Sequence, residues 1–199
     1  MTWERTSSRL AGGRAGWAVG DGGKIVSTDD AGAHWALQSS HTAFNLNAVW
    51  FVNALEGWAV GASGTVMHTL NAGLLWERVE ASASETLMGV CSSSAIDSLG
   101  WVVGSSGAVL RTHNRGHSWT KLNPVGSTLQ AVAFSDTSNG WAVGDLGVIL
   151  GTHNGGLSWF RVQPTVTTNG LKDVWRRSES RAFAVGAAGV APRTVRLPA

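Results

Sequence analysis

The stretch GWAVGASGTVMHTLNAGLLW, residues 57–76, contains the two motifs that determine the fold of this chain. Its first half recurs as GWAVGDGG (16–23), GWVVGSSG (100–107), GWAVGDLG (140–147) and AFAVGAAG (182–189). The aromatic residues of these copies are 41, 43, 40 and 42 residues apart, at Trp17, Trp58, Trp101, Trp141 and Phe183. A period near 41 residues is typical of the four-stranded blade of a β-propeller.

The second half of the stretch is a turn motif, Thr-x-(Asp/Asn)-x-Gly-x-x-Trp. It occurs four times, as TDDAGAHW (28–35), TLNAGLLW (69–76), THNRGHSW (112–119) and THNGGLSW (152–159), and each final Trp lies 18 residues after the Trp of the first motif. The Asp or Asn side chain can bond nearby backbone to fix the turn, while the Gly takes the strained conformation. We predict structural roles for Asp30, Asn71, Asn114 and Asn154, and core positions for Trp17, Trp35, Trp58, Trp76, Trp101, Trp119, Trp141 and Trp159.

Each repeat is expected to contain four short strands and almost no helix. A Leu-x-x-Val element precedes the GW motif in copies two to five, and short apolar strands follow each Gly-closed hairpin. We predict an all-β propeller of about five blades in a single domain, residues 1–199, with repeats at about 1–40, 41–82, 83–124, 125–166 and 167–199. The last repeat is incomplete, because Arg196 replaces the Asp or Asn and no Trp follows. Since Trp3-Glu4-Arg5 resembles Trp76-Glu77-Arg78, an N-terminal strand is expected to close the ring. The alternatives are a fragment of a larger ring and a chain that completes its ring with a partner.

The composition of the chain argues against several classes of function. The formal net charge of +2 is too small for a general nucleic-acid or membrane-surface binder, and no apolar run approaches the ~18 residues of a membrane span. The N-terminal segment has no apolar region of the kind that a secretory signal contains. Cys91 is the single cysteine and is interpreted as a small buried hydrophobe. His113 and His153 hold equivalent positions in neighbouring repeats, too far apart to share an ion, so we predict no metal and no cofactor.

The turn motif resembles the Asp-box, or bacterial neuraminidase repeat. Its combination with GWAVG, a Gly-closed hairpin and Leu-x-x-Val resembles the photosystem II assembly and stability factor family of cyanobacteria and chloroplasts, together with bacterial relatives. The resemblance covers about residues 16–194. It implies a propeller with an Arg-rich patch for a protein partner and a lumenal or extracytoplasmic location. That family typically has seven blades, whereas this chain has room for five.

Binding is expected rather than catalysis. The resemblance of Asp-boxes to sialidases would imply a Tyr nucleophile, and the chain has no Tyr. We therefore predict a non-catalytic, assembly-factor-like scaffold for another protein, such as a membrane-complex subunit. The alternatives are a lectin-like glycan-binding propeller and a glycoside hydrolase of sialidase-like fold. Trp50 and Trp175 align in the innermost strands, where they could face a central channel and stack on a ligand.

The distribution of charge suggests where a partner binds. Residues 1–160 contain 8 Lys/Arg and 11 Asp/Glu, whereas residues 161–199 contain 7 Lys/Arg and 2 Asp/Glu. Arg176, Arg177 and Arg181 lie at the end of the fifth inner strand and in the loop after it, and Arg9 and Arg14 lie in the matching part of the first repeat. If the first and fifth repeats are adjacent, these five Arg form one partner-binding surface. The alternative is a solvated basic rim.

Overall fold

The computed structural model of the chain describes residues 9–11, 13–93, 98–163, 167–178, 181–187 and 193–196. These residues form five antiparallel sheets whose strands pair in chain order. The first sheet consists of β1 (Arg9–Ala11), β2 (Ala15–Val19), β3 (Ile25–Thr28) and β4 (Ala36–Gln38), and the second of β5 (Leu46–Phe51), β6 (Gly57–Gly61), β7 (Val66–Thr69) and β8 (Glu77–Arg78). The third consists of β9 (Leu87–Ser92), β10 (Gly100–Gly104), β11 (Val109–Thr112) and β12 (Thr120–Leu122), and the fourth of β13 (Leu129–Phe134), β14 (Gly140–Gly144), β15 (Ile149–Thr152) and β16 (Phe160–Arg161). The fifth consists of β17 (Leu171–Ser178), β18 (Arg181–Gly186) and β19 (Arg193–Arg196). The prediction of an all-β fold with almost no helix is confirmed.

The first strand of each sheet is its innermost strand and lies beside the first strand of the next sheet. β5 packs beside β9, β9 beside β13, and β13 beside β17, so the first strands of consecutive sheets form the inner wall. β1 belongs to this row by its pairing, because Arg9 lies opposite Trp17 as Trp50 lies opposite Trp58. The prediction that residues 1–8 close the ring lies outside the described residues.

The last two glycines of the GW motif, Gly61 and Gly64 in the second sheet, are required for different physical reasons. The second one, Gly64 in the second sheet, closes a single turn of 3-10 helix at φ 64°, a conformation that favours glycine. The first one, Gly61, is extended at φ −169°. A Cβ atom on Gly61 would lie closer than 3.0 Å to backbone atoms of Asn45 and Leu46. The second glycine therefore supplies the positive φ of the turn, whereas the first permits close backbone contact.

Each turn motif is fixed by its own side chains, as predicted. The carboxylate or amide oxygen of the third residue accepts a hydrogen bond from the backbone N–H four residues later, at 2.9–3.0 Å in all four copies. The Thr hydroxyl donates to the same oxygen and accepts from the Gly N–H of the motif. The backbone N–H of His34 is the largest of the causes that lower the pKa of Asp30 to about 2. These bonds make each turn a rigid unit that can pack against another sheet.

The turn motif of one sheet packs on the preceding sheet as well as on its own. The indole N–H of Trp17 in the first sheet donates to Ala72 O in the second at 3.1 Å, and Phe51 stacks on Trp17 at 3.5 Å. Trp76 completes this junction, because its ring lies edge-on to Phe51 and its N–H donates to Gln38 of the first sheet. Consecutive sheets are therefore joined by aromatic stacking and hydrogen bonds in addition to the burial of apolar surface.

The third and fourth sheets repeat this arrangement with different residues. Trp101 donates to Gly155 O at 2.8 Å and stacks on Phe134 at 3.5 Å. Arg111 Nε donates to the same carbonyl at 2.8 Å. Between the second and third sheets, Trp58 lies against Gly116, but its buried N–H has no hydrogen-bond partner among the described residues. The three junctions thus share one packing scheme.

The prediction that all eight repeated Trp lie in the core is wrong at one position. Trp17, Trp58, Trp101, Trp141, Trp76 and Trp119 are buried and Trp159 is partly buried, but Trp35 is 45% exposed. The physical reason follows from the junctions. A turn-motif Trp is buried by the sheet before its own, and no sheet precedes the first one within the described part of the chain.

A buried ionisable pair lies at the second junction. His68 and Glu56 are 9% and 5% exposed, their side chains are 3.3 Å apart, and His68 stacks on Trp58. Burial lowers the pKa of His68, although the nearby carboxylate of Glu56 opposes this effect. The folded protein therefore favours neutral His68 more than the unfolded chain does.

This pair predicts a loss of stability in mild acid. Because the unfolded chain takes up a proton on His68 near its ordinary pKa of about 6.5, while the folded protein does so only at lower pH, the unfolding free energy should fall as pH drops from about 7.5 to about 5. Urea titrations at both pH values measure the change. His68→Gln, which can still hydrogen-bond to Glu56, should reduce the pH dependence. An equal dependence in wild type and variant would show that other groups cause it.

Candidate functional site

A cavity of about 670 Å³ lies along the inner wall between the second and fifth sheets. Its lining comes from the innermost strands β5, β9, β13 and β17 and the loops that follow β9 and β13. Trp50 and Trp175 both line it, as predicted from their aligned positions. Trp50 is held by a 2.7 Å hydrogen bond from its N–H to Ser92 Oγ, whereas Trp175 is 43% exposed. The cavity therefore combines one fixed and one accessible indole.

The charged side chains of the cavity are contributed mainly by the fifth sheet. Lys172, Asp173 and Arg176 line it from β17, and Asp136 lines it from the loop after β13. The Arg176 Nη1–H donates to Ser135 O at 2.7 Å, which ties the fifth sheet to the fourth. Lys172 Nζ lies 3.5 Å from Asp145 in an exposed ion pair. This end of the cavity offers two cations to a ligand.

The two carboxyl groups of the cavity have different environments. Partial burial raises the pKa of Asp173, against a hydrogen bond from the Val174 N–H. Burial also acts to raise the pKa of Asp136, but hydrogen bonds from Asn139, Ser138 and Ser135 outweigh it and the pKa is lowered. Asp136 is therefore held in its charged form in the same cavity as the cations of β17. The cavity therefore presents both positive and negative charges to a ligand.

The five predicted partner-binding Arg lie on the first and fifth sheets, and their grouping into one surface stays a prediction. Arg176 lines the cavity, whereas the adjacent Arg177 places its guanidinium over the ring of Phe183 at 5.4 Å. The pairing of β17 with β18 shifts register between Arg176 and Ser178, so Arg177 lies at a bulge in the strand, and this irregularity accounts for the division. Arg181 is half-buried at the start of β18. Arg14 is exposed before β2, and Arg9 pairs with Trp17 at the register position that Trp175 holds opposite Phe183.

Sequence reasoning missed the polar residues of the cavity wall. Lys172 aligns with Asn47, Met88 and Gln130, and Asp173 aligns with Ala48, Gly89 and Ala131. The signal that could have identified Lys172 and Asp173 is their charge, because the aligned residues in the inner strands of the other copies are uncharged. Asp136 gave no such signal, because its role depends on the loop after β13.

Other candidate reactive groups are structural. Cys91 is 3% exposed and belongs to the hydrophobic core, and burial raises the pKa of its thiol to about 12, so it is a buried hydrophobe as predicted. Among the described residues, no three His, Cys, Asp or Glu side chains are grouped as a metal site. In the same residues no helix is long and apolar enough to cross a membrane.

Five meander sheets, of which the second to the fifth line one cavity, are joined by turn-motif junctions and define a β-propeller-like protein built from Asp-box repeats. The sequence of residues 9–122 matches the family model described as photosynthesis system II assembly factor YCF48. This match covers more than half of the chain, which therefore belongs to that family. A search of curated protein sequences finds no match.

Solved structures agree on the fold. The structure described as YCF48 bound to D1 peptide is 16% identical with a TM-score of 0.51, over 98% of this chain and 78% of that one. An ancestral GH74 enzyme is 11% identical with a TM-score of 0.68, and the GH74 enzyme of Niastella koreensis is 17% identical with a TM-score of 0.62. These alignments cover 98% and 90% of this chain but only 32% and 27% of the enzymes. At these identities the similarity concerns the fold alone.

Proposed function

We propose that this chain is a non-catalytic binding propeller that holds a segment of another protein during assembly of a complex. The proposed site is the cationic end of the cavity, where Lys172 and Arg176 project from β17, continued by Arg177 near the end of β17 and Arg181 at the start of β18. The observation that carries the proposal is this concentration of cations beside a 670 Å³ cavity in a member of an assembly-factor family.

The chemistry of the site suits a peptide better than a small apolar ligand. Arg guanidinium groups bind carboxylates in a planar, two-bonded geometry, and the exposed indole of Trp175 offers a face for an apolar side chain. The related YCF48 structure contains a D1 peptide. By analogy, the partner proposed here is a peptide segment of a membrane-complex subunit, and the proposed location is lumenal or extracytoplasmic.

The test is a triple substitution, Arg176→Glu, Arg177→Glu and Arg181→Glu. Reversing three charges should abolish capture of partner proteins from the native source, identified by mass spectrometry, while the thermal midpoint changes by only a few degrees. Capture by the wild type should also weaken with added salt, because exposed charges are screened over roughly 10 Å at 0.1 M.

A charge-matched control distinguishes this site from a general effect of net charge. Arg78, Arg115 and Arg161 are exposed on other sheets, and their replacement by Glu changes the net charge by the same amount. The control variant should keep its partners. Equal capture by wild type and the Arg176/Arg177/Arg181 variant would refute the proposed site.

The proposal that the chain does not catalyse rests on its own residues. The sialidase nucleophile has no counterpart, because the sequence lacks Tyr, and the Cys91 thiol is buried with a raised pKa. Asp136 and Asp173 both line the cavity, but their contacts serve the loop after β13 and the β17 backbone. No step of the proposed function needs them as acid or base.

A further inference from the structure

Four exposed leucines lie together on the second sheet, in the loops that follow β5 and β7. Leu55 belongs to the first loop and is 58% exposed, whereas Leu70, Leu74 and Leu75 belong to the second and are 59%, 86% and 46% exposed. The two loops form one unit, because the Ala72 N–H donates to Leu55 O at 2.8 Å. Monomeric proteins rarely expose a contiguous group of large apolar side chains, and such a group marks an interaction site.

The repeats show that the fold does not require these leucines. The carbonyl that accepts the turn-motif N–H belongs to Leu55 here, and in the other sheets to charged or polar residues, Arg14, Ser98 and Ser138. The residues that correspond to Leu70 are Asp29, His113 and His153, and those that correspond to Leu75 are His34, Ser118 and Ser158. Leu74 alone has a leucine counterpart, Leu157. The apolar surface is therefore particular to the second sheet.

The exposure of these leucines does not depend on the ends of the chain, because the structure describes the sheets on both sides. The turn motif of the second sheet packs on the first sheet, where Ala72 O accepts the Trp17 N–H. The turn motif of the third sheet packs on the second, where Gly116 lies against Trp58. The four leucines remain exposed with both neighbouring sheets in place.

The backbone of the leucine-bearing turn is already satisfied by internal hydrogen bonds. Each N–H from Asn71 to Leu75 donates to an acceptor in β7 or in the two loops, namely the Thr69 hydroxyl, Leu55 O, Asn71 O or Asn71 Oδ1. In the loop after β5, Asn53 Oδ1 accepts the N–H of Leu55 and that of Glu56. Transfer of a polar group to an apolar phase is costly when its hydrogen bond is lost. This tip can therefore leave water without exposing an unpaired N–H.

The charges around the patch suit a membrane surface. Glu56 is the one Asp, Glu, Lys or Arg in the two loops, and it is buried against His68. The neighbouring loops of the first and third sheets carry exposed Arg14 and Arg115, with Asp29 as an exposed acid in the first. An apolar tip flanked by cations matches the order of acyl chains beneath anionic headgroups.

We propose that Leu55, Leu70, Leu74 and Leu75 insert into the surface of a lipid bilayer and hold the protein there without spanning it. This goes beyond the proposed function, because it involves neither the cavity nor the Arg of the fifth sheet. The expectation against a general membrane-surface binder rested on net charge, whereas this surface binds through apolar side chains. A second copy is a poorer occupant, because four leucines supply less than the roughly 800 Å² per partner that a stable interface buries.

The test is co-sedimentation of the purified chain with mixed vesicles of phosphatidylcholine and phosphatidylglycerol. The variant combines Leu74→Ala with Leu75→Ser. Both new residues occur at the equivalent positions of other turns, in Ala33 and Ser118, so the turn should still form. Binding should weaken at least about tenfold, the effect of withdrawing one leucine side chain from an apolar phase.

Leu146→Ser is the matched control. Leu146 is 68% exposed in the 3-10 turn at the opposite end of the fourth sheet, where Ser63 and Ser106 hold the equivalent left-handed position. This variant should bind vesicles like the wild type. Circular dichroism and the thermal midpoint of each variant verify that it is folded.

A fluorophore that responds to polarity gives a second readout. Attached at Ala54→Cys, beside Leu55, it should report transfer to an apolar phase when vesicles are added. Attached at Ser63→Cys, at the other end of the same sheet, it should not respond. Cys91 is buried, which protects it from labelling.

Three results would overturn the proposal: no vesicle binding by the wild type, equal binding by the Leu74/Leu75 variant, or equal responses of the two fluorophores. A dimer that this variant abolishes, without vesicle binding, would assign the patch to a second copy. The variant keeps Arg176, Arg177 and Arg181, so a failure here leaves the Arg-dependent capture of partners as a separate question.

Discussion

Trp101→Ala is expected to destabilise the protein by about 3–5 kcal/mol, the range for removing a fully buried aromatic side chain. Trp101 is 0% exposed, stacks on Phe134 and donates its N–H to Gly155 O across the third junction. Truncation leaves a cavity at this junction and removes one of the two donors of that carbonyl. Urea unfolding followed by far-ultraviolet circular dichroism measures the loss without depending on tryptophan fluorescence.

Trp35→Ala is the matched control for this prediction. It removes the same side chain from a repeated position that is 45% exposed, so the expected loss is below about 1 kcal/mol. Trp101→Phe should lie between the two, because the ring can still stack on Phe134 while the hydrogen bond is lost. A similar loss for Trp101→Ala and Trp35→Ala would contradict the description of the junctions.

The sequence repeat predicts the sheets well because the residues that fix each turn lie within the motif itself. Asp30 or Asn71 fixes its turn through bonds within five residues, so the pattern suffices. Trp35 shows the limit of this reasoning. Its sequence surroundings match those of Trp76, but burial depends on whether another sheet precedes its own, which is a property of position in the molecule.

The candidate site was harder to predict from sequence. The channel positions of Trp50 and Trp175 follow from alignment of the inner strands, and the cationic bias of residues 161–199 is visible in the composition. The separation of Arg176 from Arg177 depends on the register shift between β17 and β18 at this point, which requires knowing that β17 extends to Ser178. The sequence interpretation placed part of this segment in a loop, where no strand register is defined.

Register also limits the prediction that the N-terminal segment closes the ring. Arg9 lies opposite Trp17, as Trp50 lies opposite Trp58. Trp35 precedes Trp50 by 15 residues, whereas Trp3 precedes Arg9 by six, the interval between Phe44 and Trp50. The spacing of Trp3 therefore matches Phe44 rather than the turn-motif Trp with which it was compared. Closure by residues 1–8 stays a prediction.

Gly144→Ala should destabilise the fourth sheet by about 1–3 kcal/mol or more, the usual cost of forcing atoms into a packed site. Backbone conformation is not the reason, because Gly144 is extended at φ −168°. A Cβ atom there would lie closer than 3.0 Å to the carbonyl of Thr128 and to Leu129 Cα. Relief requires the segment leading into β13 to move away, which strains the 2.9 Å hydrogen bond from Asp145 N–H to Thr128 O.

Gly126→Ala is the control, in the same connection between sheets. In the described part of the chain, no atom beyond its two chain neighbours lies within 4 Å of a Cβ built on Gly126, and its φ is not in the left-handed region. This change should be neutral or stabilise the protein by about 0.4–1 kcal/mol, because alanine restricts the unfolded chain. Chemical denaturation of both variants gives the comparison. A neutral Gly144→Ala would mean that the inner strand β13 can shift freely, and the cavity wall would then be less rigid than its hydrogen bonds require.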